Sequence, residues 1–268
     1  MEIDLDTIIN AGNYENICDY SIIPQENKLF TDNIIEKNSI IFCKTDYIDY
    51  LFYHLQKSNN SHVVITHHSD YPIDYVRYVK KPKCVKKWFA INPTVIDEDL
   101  ITIPLGIKTH KGAFLEPRYM TEWFASNVNA LRKNIKSFSV YCNWGNTNPE
   151  RNNILSKLQN NNINITYETN VSFDVYATHM SHHKFVISPP GNGIDCHRTW
   201  ESLYLGCIPI VIKNYIYEAF EDLPIIQVND YSEVTKELLE SFNYEQYSYQ
   251  KLNINYWSKL IKDSLCQK

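Results

Sequence analysis

Residues 184–212 read KFVISPPGNGIDCHRTWESLYLGCIPIVI, a strand, a glycine turn, a short helix and a second strand in succession. The apolar run Phe185–Ile187 is strand-like and breaks at Ser188-Pro189-Pro190. Gly191 and Gly193 permit a sharp turn that presents backbone N–H groups. Asp195 is expected at the N-cap of the helix that follows, and Gly206 at its C′ position. Arg198 and Glu201 stand three apart and so share one helix face. The free N–H groups and positive dipole end of such a helix favour a phosphate, and Arg198 adds a forked charge. Glu201 lies one turn deeper, where a carboxylate can accept hydrogen bonds from ribose hydroxyls.

Two common phosphate motifs do not fit. A dinucleotide fingerprint needs a third glycine, and Cys196 stands in its place. It also expects an acidic residue near the end of the next strand, which here runs out at Ile212-Lys213-Asn214. No Gly-Lys-Ser/Thr follows the glycines, so a Walker-type loop is excluded as well. A purely structural glycine turn remains the plain alternative, weakened by the Arg198/Glu201 pair and by the strands on both sides.

The 268-residue chain is long enough for two compact α/β halves, expected at 1–134 and 135–268. Its 44% hydrophobic and 21% charged content is that of an ordinary globular protein. The net charge of −5, with no basic stripe, excludes a nucleic-acid footprint. The N-terminal MEIDLDTIIN lacks the basic-then-apolar profile of a signal peptide, and no apolar run is long enough for a membrane span. Seven cysteines are scattered without a C-x-x-C pair, as reduced thiols of a cytosolic protein would be. A cytoplasmic protein is therefore expected. The weight of Asn, Ile, Lys and Tyr points to AT-rich coding in a virus or microbe, and to the host cytoplasm if the source is viral.

Along the chain, strand and helix patterns alternate. Ser39–Phe42, Val63–Thr66, Lys86–Asn92 and Leu100–Ile103 are strand candidates, with a helical pattern over Asp46–Gln56. Glu116–Asn134 reads as a long helix, and Phe138–Cys142 opens the second half. Arg151–Leu158, Phe173–His183 and Asp195–Leu205 are its expected helices, and Val140, Val186, Ile210 and Ile226 mark its strands. Such alternation predicts a mostly parallel sheet in each half. The tail Tyr244–Leu265 carries Leu252, Tyr256, Leu260 and Ile261 at helical spacing.

The run SPPGNGIDCHRTWESLYLGCIPIV resembles the donor-binding motif of exostosin-type and related GT-B glycosyltransferases: an arginine, a glutamate three on, then Gly-x-x-Pro. The similarity continues in VYCNWGNTNPER (140–151), ITHHSD (65–70), KKWFAIN (86–92) and IPLGI (103–107). The resemblance implies two Rossmann-like domains facing across a cleft, with the C-terminal helix packing back across the boundary. It implies a sugar transferred from a nucleotide-sugar donor, UDP- or GDP-linked, to a hydroxyl of a glycan or glycoconjugate, with inversion and without a cofactor or metal. Animal exostosins are membrane-anchored, a point on which this chain is expected to differ. Oligomeric state is left open.

Ligands in open α/β sheets sit beyond the carboxyl ends of strands. The donor side is therefore expected to draw on Asn143 and Arg151 from one turn, and on Ser188, Gly191, Asn192, Gly193, Asp195, His197, Arg198 and Glu201 from the other. The first half is expected to supply the acceptor side and the base. Strand Val63–Thr66 ends in His67-His68-Ser69-Asp70, with Asp70 the first choice of base and His67 or His68 the next. Asn92, Gly106 and Lys108 are expected to line the cleft, Gly106 more by shaping its loop. Asp97-Glu98-Asp99 spells a D-x-D in a polar loop, where metal binding is not expected. His179 and His183 stand four apart with no third ligand for zinc. The rival function is a non-catalytic nucleotide- or glycan-binding protein of the same fold, with a dehydrogenase a distant third.

Overall fold

The computed structural model describes residues 2–23, 37–108, 116–159, 161–244 and 246–266, with the side chains of the helix opening at Glu116 described from Met120. The first half runs α1 (Ala11–Glu15), β1 (Tyr20–Ile22), β2 (Ser39–Lys44), α2 (Ile48–Leu55), β3 (His62–His67), α3 (Tyr75–Tyr78), β4 (Val85–Ala90) and β5 (Leu100–Thr102). After α4 (Glu116–Leu131), the second half runs β6 (Ser137–Asn143), α5 (Ile154–Gln159), β7 (Ile165–Glu168), α6 (Phe173–Met180), β8 (His183–Ile187), α7 (His197–Tyr204), β9 (Ile208–Ile212) and β10 (Ile226–Val228). Helices α8 (Lys236–Ser241) and α9 (Ile254–Cys266) close the chain. The fold is α/β, with two five-stranded parallel sheets in two Rossmann-like halves.

The first sheet keeps chain order, β1-β2-β3-β4-β5. Right-handed crossovers that always step the same way place their helices on one face. Accordingly Leu51, Phe52 and Leu55 of α2 pack with Ile41, Cys43, Val64 and Trp88. The alternate residues Ile40, Phe42, Val63, Ile65 and Phe89 point to the opposite face and need another cover. Helix α9 supplies it through Trp257 and Ile261, lying across β2, β3 and β4. The expected return of the last helix across the boundary thus follows from the strand order of the first sheet.

The second sheet has the order β10-β9-β8-β6-β7, so the chain steps outward from β6 to β7 and then returns to β6's other side as β8. Reversal sends helices to both faces. Ile154, Leu158 and Leu239 cover Val140, Cys142, Phe185 and Ile187 on one. On the other, Ala177, Met180, Trp200 and Leu203 join Tyr141, Val186 and Val211 in a core continuous with the α9 side of the first sheet. Helix α4 packs against α6.

Two details differ from expectation. His183 opens β8, so His179 and His183 do not share a helix. The N-cap of α7 is Cys196 rather than Asp195, because Asp195 is used across the domain boundary. Gly206, at φ +74°, does end that helix, as expected of a C′ residue.

Candidate active site

The sheet reversal fixes where the site lies. Strands β6 and β8 are neighbours whose chains leave in opposite directions, and a crevice opens beyond their carboxyl ends. The turn 143–151 leaves β6 and the turn 188–196 leaves β8, so the two turns chosen from sequence face one another there. Arg151 ties them together. Its Nε donates to Pro190 O (2.8 Å), its Nη2 to Pro189 O (3.1 Å), and its Nη1 to Gly145 O (2.9 Å) and Thr147 Oγ1 (2.8 Å). Asn148 Nδ2 adds a bond to Gly191 O (3.0 Å). Arg151 is buried, and most of its N–H groups are spent inside the protein. It shapes the two turns rather than facing into the crevice, which differs from its expected place on a diphosphate. Ser188 is likewise buried, its hydroxyl paired with Thr199 Oγ1 (2.9 Å).

Arg198 stands in the first turn of α7, near Cys196 Sγ (Nη1 at 3.6 Å) and 6.0 Å from the Tyr176 ring centroid. Its Nε is buried with no hydrogen-bond partner among the described residues. Burial pulls its pKa down, but Tyr176, Cys196 and Glu201 outweigh that and raise it, so the guanidinium is charged. Glu201, only 5% exposed, accepts a bond from Tyr176 Oη (2.7 Å). Burial raises its pKa, while Tyr176, Arg198 and Lys108 pull the other way. Glu201 therefore acts on Arg198 through its charge, and Lys108 of the first half adds its own to the same cluster. Tyr176 was missed in the sequence because nothing local links a tyrosine on α6 to a glutamate on α7.

A cleft of about 400 Å³ separates the halves. One wall is Gly191–Gly193 with Asp195, Cys196 and His197; the other is the carboxyl end of the first sheet, with Lys44, His67–Asp70, Asn92 and Leu105. Lys44, at the end of β2, was not singled out in the sequence. A strand whose polar residues stand only at its two ends shows no motif, although the position of Lys44 at a carboxyl strand end was a usable signal.

The seam beneath the cleft is held by polar contacts between distant residues. Asp195 Oδ2 accepts from Leu105 N (2.9 Å), Oδ1 from Cys196 N (2.8 Å), and Trp200 Nε1 lies within 3.0 Å of both oxygens. Burial pushes the Asp195 pKa up to about 7 against these donors. Asn92, at φ 49°, accepts from Asp195 N (2.8 Å). His197 Nδ1 pairs with Gly106 O (2.7 Å), and a Cβ on Gly106 (φ +70°) would stand 2.2 Å from Ile9 O. Asn92, Gly106, Asp195 and His197 are thus joint residues of the two halves. The cleft nonetheless exposes parts of Asn92, Asp195 and His197. Gly193 passes so close to Asn92 that a Cβ would meet its Nδ2 at 2.8 Å.

The base candidates separate by geometry. His67 is buried; its Nδ1 accepts from His68 N (2.8 Å) and its Nε2 donates to Leu105 O (3.2 Å). Burial, then the neighbouring His68 and His197, hold its pKa well below the usual imidazole range, so it is a neutral post rather than a base. His68, held at φ 60°, lines the cleft. Asp70 is exposed at the mouth and accepts from Asn192 Nδ2 across it (3.3 Å). The D-x-D carboxylates sit at the opposite, amino end of β5. There Asp99 pairs with Lys87 (2.8 Å) and Lys81 (3.6 Å), and Asp97 caps Asp99 N (2.8 Å). His179 pairs with Glu168 (2.9 Å) and His183 with Thr166 Oγ1 (2.9 Å), and no cluster able to hold a metal ion occurs among the described residues.

The exostosin GT47 domain model matches residues 51–237, more than half of the chain and most of the residues on both walls of the cleft. The chain belongs to the exostosin GT47 family. It is by that membership a glycosyltransferase, a class that takes nucleotide-sugar donors and glycan acceptors. No curated protein matches it. No helix among the described residues is long and apolar enough to cross a membrane.

Proposed function

We propose that this GT47 member transfers a sugar from a UDP- or GDP-linked donor to a hydroxyl of a glycan or glycoconjugate, with inversion and without a divalent ion. The observation that carries the reading is the unpartnered, buried Nε of a charged Arg198, beside the start of α7 and at the sheet reversal. A buried N–H group of that kind calls for an acceptor, and a diphosphate oxygen supplies one where the helix dipole also favours negative charge. The departing nucleoside diphosphate is stabilised by Arg198 and the helix start, in place of a metal. In this reading Glu201 balances the charge of Arg198 and accepts hydrogen bonds from the ribose hydroxyls.

Across the cleft, Asp70 takes the proton from the acceptor hydroxyl as that oxygen attacks the anomeric carbon and the sugar–phosphate bond breaks. It is exposed, ionisable and next to the glycine turn, whereas His67 has both ring nitrogens committed. General-base assistance of this kind is worth about 10²–10⁴-fold. Calorimetric titration with UDP and GDP tests the donor half: Arg198→Ala and Glu201→Ala are expected to lose nucleotide binding, and unchanged affinity in Glu201→Ala overturns the assignment. Asp70→Asn is expected to bind nucleotide like the parent and lose turnover. A wild-type protein that binds a nucleotide sugar yet neither hydrolyses nor transfers it, over a panel of acceptors, is a binding protein instead.

A further inference from the structure

The connections on the α2 and α3 side of the first sheet leave large apolar side chains in water. Helix α3 commits Tyr78 to the core, its ring stacked 6.5 Å from that of Trp88. Val79 follows Val76 by three residues and Tyr75 by four, so these three share a side of the helix. They are 55%, 62% and 70% exposed. Neighbouring connections extend the surface. Lys80 pairs with Asp49 of α2, one turn before Tyr53, which is 69% exposed. Tyr78 donates to Asp97, beside Ile96, which is 81% exposed. Apolar side chains gathered in this way from three connections mark a surface that meets something other than water.

The border of this surface is basic. Residues 75–87 carry six cations and no carboxylate, in a chain of net charge −5. Asp49, Asp74 and Asp99 engage Lys80, Arg77 and the two lysines Lys81 and Lys87. Lys57, Lys83 and Lys86 are exposed and have no ion-pair partner among the described residues. Cys84 Sγ donates to Leu55 O (3.2 Å), which brings the end of α2, with Lys57, beside the loop that carries Lys83. Glu98 is an exposed carboxylate close to them, joined through its backbone to Lys87 Nζ (3.0 Å).

We propose that this face rests on an anionic bilayer surface, with Tyr53, Tyr75, Val76, Val79 and Ile96 at headgroup depth and the three unpaired lysines on the lipid phosphates. Tyrosine suits that depth, its ring being apolar and its hydroxyl wet. The unpaired lysines supply the attraction that an anionic leaflet rewards. A second copy of the chain is the rival occupant, and charge opposes it, because a two-fold contact sets the same lysines against themselves. Attachment of this kind is peripheral and reversible, and it weakens as salt screens it. Asp70, at the mouth of the cleft, stands five residues before Tyr75, so the docked face holds the cleft beside the membrane.

The test sediments the full chain with vesicles of phosphatidylcholine alone and of phosphatidylcholine mixed with phosphatidylglycerol. Wild type is expected to partition onto the mixed vesicles, to stay in solution with phosphatidylcholine, and to be released by molar salt. Lys57→Gln, Lys83→Gln and Lys86→Gln combined are expected to lose about tenfold in partitioning, as are Val76→Ser and Val79→Ser combined. Binding blind to lipid charge, no binding, or variants equal to wild type overturns the proposal. So does a sizing column on which wild type is a dimer and the serine variant a monomer, which gives the face to a second copy. A gain of signal guards against a misfolded variant. Emission of Val76→Trp is expected to be quenched by brominated lipid in the mixed vesicles, and that of Phe138→Trp, in the second half, to be unaffected. Equal quenching of the two, or quenching of neither, also overturns the proposal. None of these readouts depends on what the cleft binds.

Discussion

The two sheets are equal in strand number and parallel throughout, yet one steps steadily in chain order and the other reverses. The reversing sheet covers both of its faces with its own helices and opens a crevice beyond the carboxyl ends of β6 and β8. The monotonic sheet has no such crevice. It presents polar strand ends singly, at Lys44, His67 and Asn92, and borrows α9 to cover its second face. Strand order therefore decides both which half holds a ligand by itself and which half depends on the other. The proposed division into a donor and an acceptor half rests on that difference.

The largest test of this dependence is Trp257→Ala. Trp257 is buried against the first sheet and meets Phe220 of the second half at 6.3 Å between ring centroids. Removing it is expected to cost about 3–5 kcal/mol in urea denaturation. Hydrogen exchange is expected to show β2, β3 and β4 losing protection first, because their second face loses its cover. Equal loss in β6 and β8 breaks the comparison. Gly106→Ala comes next, at about 1–3 kcal/mol for the left-handed backbone alone, with the clash against Ile9 O added to it. Its expected signature is a looser joint: higher exchange at Ile9 and Ile107, with the sheets themselves unchanged.

Asp195 gives the seam a pH dependence. Its folded pKa of about 7 lies above the ordinary value of 3.8, so the native state holds the proton more tightly than the unfolded chain. The stability this contributes is complete below about pH 4 and is lost as pH rises through 7. His67 works in the other direction, its lowered pKa favouring unfolding as pH falls below about 6.5. Comparison with Asp195→Asn cancels the histidine. The amide is expected to remove the slope between pH 4 and 7, and to cost about 1–3 kcal/mol at neutral pH, since it cannot accept from all three N–H donors. Parallel pH profiles for the two proteins overturn the assignment.

What could be read before the structure follows the range of the forces involved. The unit 184–212 was legible because its strand, glycines and helix are specified by neighbours in the chain. The edge strands β1 and β7 were not, being short and only partly buried, with little apolar signal. His183 was placed on a helix because its spacing from His179 fits one turn, while pairing with β6 makes it the start of a strand. Asp195 looked like a helix cap, the role its type and position favour. Its main partner is the backbone of Leu105, and no local rule reaches that far. Asp70 was legible as a polar strand end, but its distinction from His67 needed the ring contacts of the histidine.

The smallest expected effect bears most directly on how the reversing sheet would make the proposed donor site. If Arg151 met the diphosphate with its charge alone, Arg151→Lys would keep much of the affinity that Arg151→Ala loses. The structure shows a guanidinium shared among four carbonyl and hydroxyl oxygens, its fork bridging the turns that follow β6 and β8. A lysine brings the charge but cannot span Pro189, Pro190 and Gly145 together. Both variants are therefore expected to weaken UDP or GDP binding by a similar factor of about ten, some 1.4 kcal/mol. Arg198→Lys, where the proposed contact is through charge, is expected to keep more affinity than Arg198→Ala. Calorimetry on the four variants reads the contrast: rescue by lysine at 151 means that the first turn contributes charge rather than shape, and the crevice then owes less to the reversal of the sheet.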